Sequence, residues 1–334
     1  MSIKPITKEY KTIEEFLKFR NIDCLTDIQE LKESKNIIIL GNFDGIHKGH
    51  GKIFEEAVKK AQNKGYKTVI YTFSEYPSKK ENRITTSSEK LELINNFDID
   101  YVFLDGFEEI RNLSPEEFIE NILVKKLNAI EIYCGFNFTF GKNKSGNIDT
   151  LENILKEKYN NKIILNVQTP VLDSENKIIS STRIREYIKE TNLIKAKELL
   201  GHNFIIMGEV IHGKKLGRTL GFPTANLTFR NRIYPGFGVY GVYVHIEGED
   251  NIYHGIMNIG KNPTVKFNSL SVETHIFDFD KDIYGKIILI EVLEKVSDEK
   301  KMNSLDELIE KIRGNVNNWR KRINEKYHNK CENR

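Results

Sequence analysis

Residues 41–50, GNFDGIHKGH, follow the apolar run IIIL and place three glycines and two histidines within ten positions. A glycine-rich turn between a strand and a helix lets backbone N–H groups at the helix start point at an anion, with the helix dipole in support. Phosphate is therefore the first expectation. Neither common phosphate loop fits: Ile46 stands where a loop ending at Gly51-Lys52 needs glycine, Ile53 replaces the required Ser or Thr, and no GxGxxG follows the strand. His47 and His50 are three residues apart and share one face of a helical start, and Gly49 between them allows a bulky phosphate to approach. Two imidazoles so placed can stabilise nucleotide phosphates during attack at the α-phosphorus without a covalent enzyme intermediate. A metal pair or a simple helix cap are the alternatives; the preceding strand and the glycine loop favour phosphate.

A second concentration of signal lies at residues 213–227, GKKLGRTLGFPTANL. Gly213, Gly217 and Gly221 recur at intervals of four, which matches no phosphate fingerprint by spacing and equally suits a mobile flap. In an extended chain Thr224 and Asn226 project to one side and Ala225 to the other. They offer two neutral oxygens, a set suited to Mg²⁺ whose remaining ligands are ATP phosphates and water; a purely structural turn is the equal alternative. Further on, SVETHIF puts Glu273 and His275 on one face of a strand. In ISSTRIR, residues 179–185, hydroxyls and arginines gather at the start of a helix, which suits oxyanions or a plain N-cap.

These residues need elements to hold them. From about residue 37 to 167 the runs NIIIL, TVIYTF, YVFL, AIEIYCG and KIILNV alternate with helical segments such as GKIFEEAVKKAQNKG and SPEEFIENILVKKL. That alternation predicts a parallel α/β sheet covered by helices on both faces. Ser114 is placed to cap a helix with Pro115 at its first position. After Leu200 strand-like runs follow one another with short turns, including a hairpin turning at EGEDN, which predicts an antiparallel sheet or barrel. The segment SLDELIEKIRGNVNNWRKRINEKY closes the pattern as an amphipathic helix, with Gly314 as its weak point.

The 334 residues suit two domains, and a net charge of +3 from 51 basic and 48 acidic groups argues against a dedicated nucleic-acid or membrane binder. Charge interrupts the first sixteen residues throughout, so neither a signal peptide nor a membrane span is expected. Cys24, Cys134 and Cys331 stand far apart without a CxxC pair, which suggests neither a zinc cluster nor a disulfide framework. A cytoplasmic location is the resulting expectation. His202, His212, His245, His254 and His328 form no close set and are expected at the surface or in turns.

GNFDGIHKGH resembles the HxGH signature of the nucleotidyltransferase superfamily in the form found in prokaryotic bifunctional riboflavin kinase/FAD synthetases. The resemblance implies a Rossmann-like HxGH domain and assigns Gly41, Asn42, Phe43, Asp44, Gly45, His47, Gly49 and His50, with Ser180, Ser181 and Arg185 from ISSTRIR, to ATP binding. CGFNFTFGKNKSGN resembles the segment after the family's central strand, where Asn137 takes the place of an active-site amide or acid. GRTLGFPTAN is similar to the signature of the riboflavin kinase module, a β-barrel followed by a helix, and YPGFGVYGVYV, GIMNIGKNPT and SVETHIFDFDKDIYGK follow in family order. It assigns Gly213, Gly217, Arg218, Gly221, Pro223, Thr224 and Asn226 to ATP, Thr224 and Asn226 to Mg²⁺, and Glu273 to the role of catalytic base.

The resemblance implies that the C-terminal module converts riboflavin and ATP to FMN, and that the N-terminal module joins FMN to AMP from ATP, giving FAD and pyrophosphate. Partners would be these small molecules, with no nucleic acid and no membrane. The domains expected are an extension at 1–34, an adenylyltransferase at 35–200 and a kinase at 204–328. Ser74 and Tyr76 depart from the family's usual Asp and His, as do Val296, Ser297, Met302 and Asn315 from its usual residues.

Overall fold

In the computed structural model, residues 23–24, 29–73, 83–106, 110–213, 216–228, 232–262, 269–300, 302 and 304–327 are described. Ser74, Tyr76, His328, Cys331 and most of the 1–34 extension lie outside them. The described chain divides into two compact units between Ser181 and Thr182.

The first unit carries six strands: β1 (Asp23–Cys24), β2 (Asn36–Leu40), β3 (Lys67–Phe73), β4 (Tyr101–Asp105), β5 (Ala129–Gly135) and β6 (Ile164–Gln168). They form a parallel sheet in the order β1-β4-β3-β2-β5-β6. Every residue of β2 is buried, as expected of a central strand covered on both faces. The chain winds to one side through β3 and β4 and to the other through β5 and β6. The loops after β2 and β5 therefore part, and such a switch point at the carboxyl ends of strands opens a crevice.

Helices α1 (Gln29–Glu33), α2 (Lys48–Lys64), α3 (Ser87–Ile94), α4 (Pro115–Glu117) and α5 (Ile148–Tyr159) accompany the sheet. α2 buries Ile53, Phe54, Ala57 and Ala61 and packs on β2, β3 and β5. The opposite face meets Leu151, Ile154 and Leu155 of α5 and Leu31 of α1. Ser114 caps α4 in a capping box with Glu117. Beyond it the chain widens into a π-helix over Phe118–Lys126, which turns Phe118, Ile119, Ile122 and Leu123 onto the sheet. Part of the 1–34 segment belongs to this body: β1 extends the sheet edge and Leu31 is fully buried.

The second unit holds β7 (Phe204–Ile211), β8 (Ala225–Leu227), β9 (Gly238–Ile246), β10 (Ile252–Asn262), β11 (Ser269–Ile276) and β12 (Ile287–Asp298), closed into an antiparallel barrel in the order β10-β11-β8-β7-β12-β9. The β9–β10 turn falls at EGEDN, as the sequence predicts. Helix α6 (Ser181–Lys189) from Thr182 onward and α7 (Leu193–Leu200) belong to this unit by contact, and α7 packs on β7 and β12. A short α8 (Leu216–Thr219) precedes β8. The last helix, α9 (Leu305–Lys326), runs unbroken through Gly314 and buries Trp319 completely. A Cβ on Gly241 of β9 would collide with the Trp319 indole, so this glycine admits the ring.

Two of the histidines expected at the surface or in turns are buried. His245 is 1% exposed and its Nε2 lies 2.9 Å from Glu291 Oε1, while Asn203 Nδ2 donates to the other carboxylate oxygen at 2.6 Å. His202 sits in a bend, yet its ring packs inward with Nδ1 2.7 Å from the Asn203 carbonyl. Glu291 of another strand and the Asn203 carbonyl face these rings, His245 Nδ1 stays buried without a partner, and no local spacing announces such an arrangement.

Candidate active sites

The first constellation begins where β2 ends. Phe43, Gly45 and Ile46 take positive φ, a tight path that delivers His47 to the N-cap of α2. The His47 side chain makes no cap hydrogen bond; the His50 and Gly51 N–H groups donate to the His47 carbonyl, and those of Lys48 and Gly49 at the start of the 17-residue helix face outward, where an anion can approach. The His47 and His50 rings stack with centroids 3.6 Å apart and planes 18° from parallel. Phe43, only 2% exposed, meets His50 edge-on. Burial, the adjacent His47 and the charge of Lys90 hold the His50 imidazole well below its usual range. Its Nδ1 is buried without a hydrogen-bond partner. An orphaned ring nitrogen at an uncapped helix start is a group poised for a ligand.

Asp44 is turned the other way. Its carboxylate accepts from the backbone N–H groups of Ile84 at 2.9 Å and Thr85 at 3.1 Å, and its carbonyl accepts from Ser181 Oγ at 2.9 Å. Asp44 and Ser181 thus fasten the loop to neighbouring segments. Gly41 and Asn42 lie in the same turn, Asn42 exposed, and Gly49 is in the first turn of α2. Asn137 stands exposed in the turn after β5, the strand beside β2, closed by a Phe138 N–H to Gly135 carbonyl bond of 3.0 Å. Ser180 closes the first unit with Ser181; Arg185 lies on α6 and is described with the second.

Sequence reasoning missed Lys90. It occurs in TTSSEKLELI on α3, where Glu89, Lys90 and Glu92 are all at most 1% exposed. A charged run in a helix normally marks a solvated face, so only the fold reveals it.

The second constellation is built on a sheet register. Asn226 of β8 pairs directly with Glu273 of β11, and Ala225 with Thr274. Thr274 and Ala225 are buried, whereas Asn226, Glu273, Thr224 and His275 are half-buried, so alternation sets these four on one face. His275 Nδ1 lies 2.8 Å from the Pro223 carbonyl; because a carbonyl only accepts, this nitrogen carries the proton. Burial lowers the His275 pKa, against the opposing pull of that bond.

Two of the regularly spaced glycines have a steric reason. A Cβ at Gly213 would strike the Asn226 amide, and one at Gly217 would strike the Phe222 carbonyl and come within 3.2 Å of Thr224 Oγ1. Gly221 adopts φ +83 in the same turn. A cavity of about 290 Å³ opens here, lined by Arg218, Pro223, Thr224, Thr274 and the segment Phe279–Tyr284 among others. Thr274 Oγ1 is buried there without a hydrogen-bond partner. Among the described residues no group of three His, Cys, Asp or Glu could hold a metal ion. A cation here would depend on the neutral Thr224 and Asn226 oxygens together with phosphate, a set that fits Mg²⁺.

Of the departures from the family pattern, Val296 packs against the α9 core, and Asn315 is buried on α9.

Comparison with known proteins gives the same division. A family model described as FAD synthetase matches residues 29–183, and one described as riboflavin kinase matches 200–323. A protein of Bacillus subtilis (strain 168) named bifunctional riboflavin kinase/FMN adenylyltransferase is 34% identical over 84% of this chain and 90% of its own length. One of the same name from Buchnera aphidicola subsp. Schizaphis graminum is 36% identical over 89% and 97%, and one from Escherichia coli (strain K12) is 33% identical over 81% and 88%. A crystal structure described as a macrolide-efflux protein from Streptococcus pneumoniae superposes with a TM-score of 0.72 at 30% identity, covering 94% of this chain and 99% of that one. That description concerns the other protein; the likeness contributes the common two-unit fold. By its two matched modules and by relatives aligned along most of their length, the chain belongs to the bifunctional riboflavin kinase/FMN adenylyltransferase family.

Proposed function

We propose that the two activities of this flavin-cofactor enzyme are divided between its two constellations, each fitted to its own nucleophile. Riboflavin phosphorylation takes place at the β8–β11 face. There Glu273 accepts the proton of the ribityl 5′-hydroxyl as that oxygen attacks the γ-phosphorus of ATP, and ADP departs. Thr224 and Asn226 would hold Mg²⁺, which when bound would neutralise and orient the polyphosphate. Arg218 and the backbone around Gly213, Gly217, Gly221 and Pro223 line the nucleotide pocket. The pairing of Asn226 directly with Glu273 carries this reading, since it sets base and cation ligand on adjacent strands.

Adenylylation of FMN takes place at the β2–α2 turn. An FMN phosphate oxygen attacks the α-phosphorus of a second ATP and pyrophosphate leaves. His47, His50 and the open N–H groups of α2 stabilise the charge that gathers on the α-phosphate. Asn137 orients the phosphate from the neighbouring strand, and Ser180 adds a phosphate contact. The orphaned, neutral His50 supports this reading. We place both reactions in the cytoplasm, where the substrates are at hand.

Incubating the protein with riboflavin, ATP and Mg²⁺ and separating the products by chromatography tests the whole reading. FMN with ADP, then FAD with pyrophosphate, is expected. Unchanged riboflavin from folded protein would refute it.

A further inference from the structure

Lys90 is 1% exposed, and a buried ammonium is held in place only by partners. Its Nζ donates to Thr72 Oγ1 at 3.0 Å and to the Phe73 carbonyl at 3.1 Å, at the carboxyl end of β3. Thr72 Oγ1 in turn donates to the Asn42 carbonyl at 3.3 Å. A continuous path thus runs from α3 through β3 to the loop that delivers His47. A second tether joins the same parts: Asp44 accepts from Ile84 and Thr85, and the Gly45 N–H donates to Thr85 Oγ1 at 3.1 Å. The charge of Lys90 is felt at His50, where it helps to keep the imidazole neutral.

We infer that Lys90 is a positioning residue for adenylyl transfer, bracing the His47–His50 loop through Thr72 and Asn42 and matching its buried positive charge to the phosphate chain of a nucleoside triphosphate. The inference rests on the reading of this loop as the adenylyltransferase site.

The groups facing Lys90 are Asp44 in the loop, Arg83 ahead of α3, and His50 on α2. Burial outweighs the favourable Asp44 and lowers the lysine to about 7. An arriving polyphosphate favours the charged form, so binding above that pH takes up a proton, and apparent affinity falls as pH rises.

The test follows FAD formation from added FMN by the full-length protein, against ATP concentration, from about pH 6 to about pH 9. In the unaltered protein KM for ATP rises with pH above 7, by up to about tenfold per unit. Lys90→Met raises KM about tenfold or more at the acid end and flattens the profile, with kcat far less affected than by His50→Ala. Lys90→Arg restores a low KM and keeps the profile flat, because a guanidinium does not titrate in this range. A folded Lys90→Met protein with unaltered KM and profile would overturn the inference. Should that variant fail to fold, Lys90→Arg decides, and a KM still climbing with pH as in the unaltered protein overturns it. Undiminished FAD formation by His50→Ala would instead remove the site reading beneath it.

Discussion

The two regions that we propose handle phosphate are made of opposite materials. The β2–α2 turn gathers imidazoles, helix N–H groups and a buried lysine, with its nearest carboxylate, Asp44, turned onto backbone amides. The β8–β11 face offers neutral oxygens from Thr224 and Asn226 beside the carboxylate of Glu273. The nucleophiles explain the contrast. A phosphate monoester, with its second pKa near 6, is already anionic at neutral pH. Such a nucleophile needs no base and benefits from positive charge, whereas a sugar hydroxyl needs a base, and a cationic surround would disable that base by raising its cost of protonation. On the proposed assignment one chain supplies two kits for one cosubstrate, sorted by the acidity of the attacking group.

The comparison is sharpened first by removing the proposed base. Glu273→Gln is expected to slow FMN formation by about 10²–10⁴-fold, the usual contribution of a positioned base, while FAD formation from added FMN continues. His50→Ala is expected to do the reverse, cutting FAD formation by about 10²–10³-fold with FMN accumulating. Chromatography of the products distinguishes these outcomes. A smaller effect is expected for Gly213→Ala, whose new Cβ displaces the Asn226 amide. FMN formation should fall about tenfold and demand more Mg²⁺, by analogy with other losses of ligand geometry, and FAD formation should not change. A magnesium titration of each step checks it.

The last effect concerns stability rather than turnover. Lys90 has a folded pKa of about 7 against an ordinary 10.5, so the folded state binds its proton less tightly than the unfolded chain. Stability of the first unit therefore falls as pH is lowered from 10.5 to about 7 and is insensitive to this group below that. Lys90→Met should lack this slope in denaturant unfolding measured across the window.

Most of the architecture was legible because it depends on local pattern. NIIIL and AIEIYCG read as buried strands and are β2 and β5; SPEEF reads as a capped helix start and is one. The histidine pair and the PTAN turn were legible through spacing on a helix and on a strand. What escaped depends on long-range packing. Nothing near Lys90 foretells that Thr72 and Phe73 will receive its ammonium, and nothing near His245 foretells Glu291, which lies 46 residues away in sequence. The pairing of Asn226 with Glu273 is of the same kind: alternation gives each residue its face, but only strand order makes them neighbours. The π-helix over Phe118–Lys126 also went unread, because its apolar residues satisfy an ordinary helical period nearly as well.

Mixing the two disabled proteins tests the division of labour most directly. Glu273→Gln and His50→Ala are each given riboflavin, ATP and Mg²⁺, separately and together, and FAD is measured. The account predicts almost no FAD from either alone and substantial FAD from the mixture, with FMN passing between molecules through solution. Loss of both steps in each variant, with no FAD from the mixture, would contradict it.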